Sequence, residues 1–336
     1  MSPLLWVTAF ALAAGCGLVL TPPTLLLARK LRFLDHPSPR KVHVEPTPLL
    51  GGLPVLVAFG AATAWGIQRG WVLADGRLLG FLAGGGLVFT VGLVDDRVGL
   101  TPSWKLAGQT AAALVLVLSG NTSGVVREDA LGGVLTLLWV VGITNAVNFL
   151  DNMDGISAGI SGIAAFAFAV IAGLFGQDQT AYLALALAGA SVAFLRFNWS
   201  PARIFLGDAG SLFLGYSLAS LALFSTRERE AASYLLVPLV VLAFPIFDLC
   251  FVVLCRTLEG RSWATPGQDH TSHRLRALLS GSRETALVIY LVSLACAALG
   301  VVVSLTGSPA LAWSAVGAVA ALLSGLGIKL SRVAAR

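Results

Sequence analysis

Five aspartates stand at the ends of apolar runs in this chain: Asp95, Asp96, Asp151, Asp154 and Asp208. A carboxylate is costly at membrane depth and is usually placed there for function. Brought together from separate runs, the five would form a site for a divalent cation and a phosphate group at a membrane surface. Asp95 and Asp96 are adjacent, so either one is protonated or both face a cation.

The stretch from Asn145 to Gly155 repeats a polar residue every three positions: Asn145, Asn148, Asp151, Asp154. On a helix each step of three drifts by about 60°. Neighbouring members therefore lie close, while all four spread over half the circumference unless the helix ends. Two amides followed by two acids suit a base and a sugar at one end and a metal at the other. Asp208 opens another apolar run, where it reads either as an ordinary N-cap or as a ligand. Gly207 and Gly210 beside it argue for close approach of backbone to a ligand, and Ser211 fits a cap or a phosphate contact.

His270, His273 and Arg274 form a third group. With no further zinc-type ligand at suitable spacing, phosphate binding suits them better than a zinc site. Asp248, inside an apolar run, is expected to pair with Arg256 two turns later. Asp269 is expected to cap a short segment running through Arg276. The four cysteines lie in apolar runs without paired spacing and read as packing residues.

The elements that must position these groups are membrane helices. The chain has 336 residues, 57% hydrophobic and 12% charged, against about 25% charged in a soluble domain. Its mean hydropathy is +0.85. At roughly 17–25 residues per crossing, the predicted spans are about 3–28, 49–68, 78–94, 104–120, 131–149, 156–176, 180–195, 206–225, 233–255, 286–306 and 309–328. This predicts a single all-α polytopic membrane domain over 1–336, a bundle of about 11 transmembrane helices. Leu12 to Cys16 faintly resembles a lipoprotein cleavage site. No basic residue precedes it and the apolar run continues, so the first span is expected to stay uncleaved.

With the N-terminus outside, 17 of the 22 Lys and Arg residues fall on one side and 5 on the other. That bias makes the richer side, with the C-terminus, cytoplasmic. All five aspartates and all four histidines share it. The loops expected to carry chemistry are 29–48, 95–103, 150–155, 196–208 and 256–285. The four prolines of 35–48 predict an extended loop.

The chain resembles the polyprenyl-phosphate N-acetylhexosamine-1-phosphate transferases, bacterial membrane enzymes of glycosyltransferase family 4. The likeness runs through R-K-x-H…P-x-P-x-x-G-G (Arg40 to Gly52), G-x-x-D-D-R (Gly92 to Arg97) and N-A-x-N-x-x-D-x-x-D-G (Asn145 to Gly155). It continues through P-A-x-I-F-x-G-D-A-G-S (Pro201 to Ser211) and D-H-x-x-H-R-L (Asp269 to Leu275). The resemblance implies transfer of a sugar phosphate, GlcNAc-1-phosphate above others, from a UDP-linked aminosugar to undecaprenyl phosphate. UMP is released and Mg2+ or Mn2+ is required. It implies the bacterial inner membrane, an active site facing the cytoplasm and membrane lipids as surroundings. It also allows a homodimer and calls for no nucleic acid.

By the same resemblance, Asp95, Asp96 and Asp208 are catalytic, with Asp208 and Asp154 as metal ligands. Asn145, Asn148, Asp151, Asp154 and Phe205 are assigned to the uridine and sugar, and His270, His273 and Arg274 to the diphosphate or sugar. Lys41 and His43 complete the substrate-binding set. Two positions depart from the pattern: Asn152 replaces a glycine, and Thr271-Ser272 replaces a His-containing centre. The absence of T-P-T-M-G-G after His43 favours the N-acetylglucosamine branch over a muramoyl-pentapeptide transferase. Sibling enzymes using UDP-GalNAc or UDP-MurNAc-pentapeptide are the near alternatives. A cation-coupled transporter is the alternative from another class; it predicts acids at mid-span.

Overall fold

The computed structural model describes residues 3–37, 45–122, 129–226, 236–262, 267–279 and 281–333. Lys41 and His43 lie outside them. Thirteen helices are described, with one two-stranded pairing. They are α1 (Pro3–Lys30), α2 (Gly52–Gln68), α3 (Gly76–Val98), α4 (Pro102–Leu118), α5 (Asp129–Phe149), α6 (Ile156–Leu174), α7 (Asp178–Asn198) and α8 (Gly207–Thr226). There follow α9 (Leu236–Val241), α10 (Ala243–Leu258), α11 (Thr271–Leu278), α12 (Ser282–Thr306) and α13 (Pro309–Ser331). Among the described residues, eight helices are long and apolar enough to cross a bilayer: α1, α3, α5, α6, α7, α8, α12 and α13.

Their boundaries follow local chemistry. The Asp75 carboxylate accepts from Leu78 N at the start of α3, which satisfies one of the donors a helix leaves bare. Ser308 does the same for α13, with Pro309 at its first position. The run expected over 233–255 is not one helix. It divides at Leu242 into α9 and α10, because Pro245 has no N–H to extend the ladder across the junction.

Burial orders the bundle. In α8, 94% of the membrane-length window is buried, against 28% in α1 and α13. Helices α3 and α5 pack along α8, while α7 lies between α1 and α6. Mutually packed aromatics fill the centre: Phe59 meets Phe81 and Phe213 edge to face, and Phe81 stacks on Tyr216.

The N-terminus of α8 is enclosed on two sides by glycine. A Cβ on Gly92 of α3 would lie 2.4 Å from Ala209 N, and one on Gly52 of α2 would lie 2.4 Å from Gly210 N. No other residue permits backbones to meet so closely. The described ends of the loop after α1 are extended. Strand β1 (Leu34–Asp35) pairs antiparallel with β2 (Thr47–Pro48). Beyond β2, Phe205 N donates to Pro48 O, Gly51 N to Phe205 O and Gly52 N to Leu206 O, which stitches this loop to the segment leading into α8.

Candidate active site

The helix ends that carry the aspartates meet at one end of the bundle, around a cavity of about 1210 Å³ lined in part by Asp96, Asp151, Asp154, Phe205, Asp208 and His273. That volume exceeds the roughly 300–1,000 Å³ typical of small-ligand pockets and leaves room for two substrates side by side.

Asp208, in the first turn of α8, is held from two directions. Its Oδ2 lies 2.5 Å from Lys105 Nζ, and its Oδ1 accepts from Asn148 Nδ2 at 2.6 Å. The same Asn148 amide donates to Ser211 Oγ at 2.8 Å. Lys105, at the start of α4, also reaches Asp95 Oδ2 at 2.8 Å. One ammonium thus neutralises two carboxylates that would otherwise repel.

The two adjacent acids of α3 do different things. Asp95 turns to Lys105 and accepts from Leu100 N at 2.5 Å. Asp96 lines the cavity and accepts from Asp208 N and Ala209 N at 2.8 and 3.0 Å. It therefore caps α8 from another helix. The exchange depends on Gly207, whose φ is +73° and where a Cβ would lie 2.6 Å from Asp96 Oδ2.

The ladder from Asn145 to Asp154 is split, because α5 ends at Phe149 and the acids lie in the following turn. Asn148 faces Asp208. Asn145 instead exchanges hydrogen bonds with Gln109 of α4, its Nδ2 donating to Gln109 Oε1 at 2.5 Å and to Val141 O at 2.8 Å. Its amide fastens α5 to α4, and Asn145 is not among the residues lining the cavity. Asp151 and Asp154 do line it. Burial, and then the negative charges of Asp208, Asp96 and Asp154, push the Asp151 carboxyl well above the usual carboxylate range; the Gly207 N–H only partly opposes them. Asp154 Oδ2 accepts from Ala202 N at 3.0 Å. Asn198 of α7 joins the two cavity loops, accepting from Gly155 N and donating to Ile204 O.

The third group divides as well. His273 lines the cavity. Burial, His270 and Arg276 together hold its pKa down at about 4, so the imidazole is neutral near pH 7. His270 is instead 2.9 Å from Asp248 Oδ2 through Nδ1. Arg274 is buried, and its guanidinium donates to Asp269 O, Leu330 O, Ser331 O and Val333 O. That fastens α11 to the end of α13. His270 and Arg274 therefore build the wall from which His273 faces the cavity.

Two expected pairings are corrected. Asp248 does not pair with Arg256; its carboxylate takes His270, Thr271 N at 2.8 Å and Thr271 Oγ1 at 2.5 Å. Nor does Asp269 cap α11, because Asp248 accepts the bare Thr271 N–H instead. Asp269 joins Arg256 and Arg261, at 2.9 and 3.0 Å. Although burial opposes it, these two guanidinium groups hold its carboxyl below the usual range.

The profile of glycosyl transferase family 4 matches residues 78–226. A probable undecaprenyl-phosphate N-acetylglucosaminyl 1-phosphate transferase of Bacillus subtilis is 33% identical over 295 residues, covering 85% of this chain and 81% of the relative. The chain belongs to glycosyl transferase family 4. A second relative of this family 4 chain is a decaprenyl-phosphate N-acetylglucosaminephosphotransferase of Mycobacterium tuberculosis, 34% identical over 306 residues (81% of this chain, 76% of the relative). A third, a phospho-N-acetylmuramoyl-pentapeptide-transferase of Heliobacterium modesticaldum, is 36% identical over 254 residues (68% and 77%).

Lys105, the hub of the family 4 site, entered the sequence reading only as one of 22 basic residues. Its signal was there: a lone lysine in the first turn of an apolar run, nine residues after Asp96. Among the described residues no three His, Cys, Asp or Glu side chains form a ready metal site. The donors around the cavity are hard carboxylate oxygens, and Mg2+ is usually bound by one or two of these together with substrate phosphates. Burial first, and then the charges of Asp208, Asp96 and Asp154, raise the Asp151 carboxyl in the same place. The donor set therefore suits a hard divalent cation.

Proposed function

We propose that this multi-pass membrane protein transfers a HexNAc-1-phosphate, GlcNAc-1-phosphate foremost, from a UDP-sugar to undecaprenyl phosphate. The observation that carries the reading is the convergence of Asp96, Asp151, Asp154 and Asp208 on one cavity at an end of the bundle, in a chain whose relatives bear transferase names. In the reaction, an oxygen of the lipid phosphate bonds to the sugar-bearing phosphorus of the donor. The bond from that phosphorus to the UMP oxygen breaks, and UMP leaves. Phosphoryl transfer rests on positioning and charge neutralisation, and the chain supplies both.

Lys105 and Asn148 fix the Asp208 carboxylate, and Asp96 fixes the helix end that carries it. A magnesium ion held by Asp208 and Asp154 would stabilise charge developing on the leaving UMP. Asp151, Asp154 and Phe205 are proposed to receive the nucleoside and sugar, with His273 as a neutral donor or acceptor opposite them. About eleven membrane crossings, an outside N-terminus and a cavity open to the cytoplasm of a bacterial inner membrane complete the proposal, supported by the asymmetry of basic residues. In the cation-coupled transporter alternative, acids would occupy mid-span; here they cluster at helix ends.

The test uses detergent-purified protein, undecaprenyl phosphate, Mg2+ and UDP-GlcNAc, UDP-GalNAc or UDP-MurNAc-pentapeptide, with UMP release as readout. Release with UDP-GlcNAc above the others is expected. No UMP from any donor would overturn the reading.

A further inference from the structure

Asn152 and Ser272 lie 120 positions apart, yet Ser272 Oγ donates to Asn152 Oδ1 at 2.5 Å. The other half of the amide is also taken, since Asn152 Nδ2 donates to Phe149 O at 2.6 Å. With a carbonyl on that side, only the Nδ2 group can face Phe149, so Oδ1 must face the serine. Ser272 is fully buried, and a buried hydroxyl without a partner is costly. The pair is also the meeting point of the two departures from the motif pattern.

Its place gives it consequence. Asn152 lines the cavity between Asp151 and Asp154, and Ser272 directly precedes His273 on α11, which lines the same cavity. Helix α11 has only eight residues, too few to hold itself together alone. Its other hydrogen bonds go to Asp248 of α10 and to the end of α13, and it packs against α12. Among the described residues, the Ser272 hydroxyl is the one side-chain hydrogen bond that ties α11 to the acidic loop.

We propose that Asn152 and Ser272 form a latch that sets the width of the donor-binding gap between Asp151 and Asp154 on one side and His273 on the other. They are positioning residues: each satisfies the other, and neither contributes a free polar group to the reaction. This rests on the transferase reading above. A support that acts on the bound donor in the ground and transition states alike raises KM when removed and spares kcat.

The experiment is a double-mutant cycle on the full-length enzyme, with UDP-GlcNAc varied at saturating undecaprenyl phosphate and thermal unfolding followed in parallel. Ser272→Ala and Asn152→Ala are each expected to raise KM for UDP-GlcNAc about tenfold, with kcat within about twofold. The unfolding midpoint should stay within about 2 °C in Ser272→Ala and fall by about 2–4 °C in Asn152→Ala, which strands the buried hydroxyl. The double variant is expected to be no worse than the worse single one, because both remove one interaction. Should Ser272→Ala fail to fold, Asn152→Ala carries the test, since its side chain stands at the half-exposed cavity edge. An unchanged KM in Asn152→Ala overturns the latch, as does a double variant whose effect equals the product of the singles. Wild-type protein that releases no UMP instead sinks the transferase reading itself.

Discussion

Around Asp208 and around α11 the molecule uses the same residue types to opposite ends. At the start of α8, charged groups are paired and still face the reaction space. Asp96 caps a helix and lines the cavity, and Lys105 joins two acids whose helices converge there. At α11 the charged groups are consumed by structure. Asp248 binds the helix start, Arg274 binds the carbonyls ending α13, and Asp269 is enclosed by Arg256 and Arg261. Only His273 of that group reaches the cavity. A cluster of ionisable residues is thus a poor guide to chemistry until their partners are known.

The contrast can be broken most directly at Asp208. Asp208→Asn is expected to lower kcat about a thousandfold, the upper range for loss of one electrostatic contact to a transition state; UMP release near the wild-type rate would remove the residue from the machinery. Lys105→Ala comes next, with about a hundredfold loss of kcat, because Asp95 and Asp208 then face each other unscreened. Its control, Lys105→Arg, should recover part of the loss, and equal damage in both would point to fold rather than charge.

On the other side, Arg274→Ala should cost about 3 kcal/mol of stability, having left several buried carbonyls without a donor. Donor KM in the protein that remains folded should move less than about threefold. A selective rise in KM with an unchanged unfolding curve would return Arg274 to the substrate site.

The smallest expected effect is a null one. With a pKa of about 4, below the ordinary 6.5, His273 takes its proton only in acid. Its burial therefore costs stability as pH falls from about 6.5 towards 4 and nothing above. Between about pH 5 and 8 the rate profile of His273→Asn should keep its wild-type shape, whatever its height. An acidic limb near pH 6 that disappears in the variant would show that His273 titrates during turnover.

Much of this was legible in the chain. Within the described residues the predicted apolar runs form one helix each, except the run over 233–255, which forms two; lipid-length hydrophobic stretches have few other ways to satisfy their backbones. The convergence of Asp96, Asp151, Asp154 and Asp208 followed from their placement at the ends of runs on one side. Other features were hidden because sequence shows a residue's type and not the neighbour that satisfies it. Asn145 resembles Asn148, yet Gln109 claims it. Asp248 lies eight positions before Arg256 on one helix, but an incoming helix start and an imidazole satisfy it first. Lys105 carries a charge that looks like any loop lysine until α3 and α8 are seen to meet.

Of the eight membrane-length helices, α8 has the lowest hydropathy, 1.3, and is the most enclosed. A segment so modestly apolar is a weak signal for entering a bilayer unaided. Biogenesis then depends on earlier-made neighbours: α3 and α5 must already be in the membrane to receive it. The most chemically important helix is thereby the one least able to insert alone. A nascent chain gains its Asp208 site only once α3, α4 and α5 have received α8, so a chain arrested before that step lacks it.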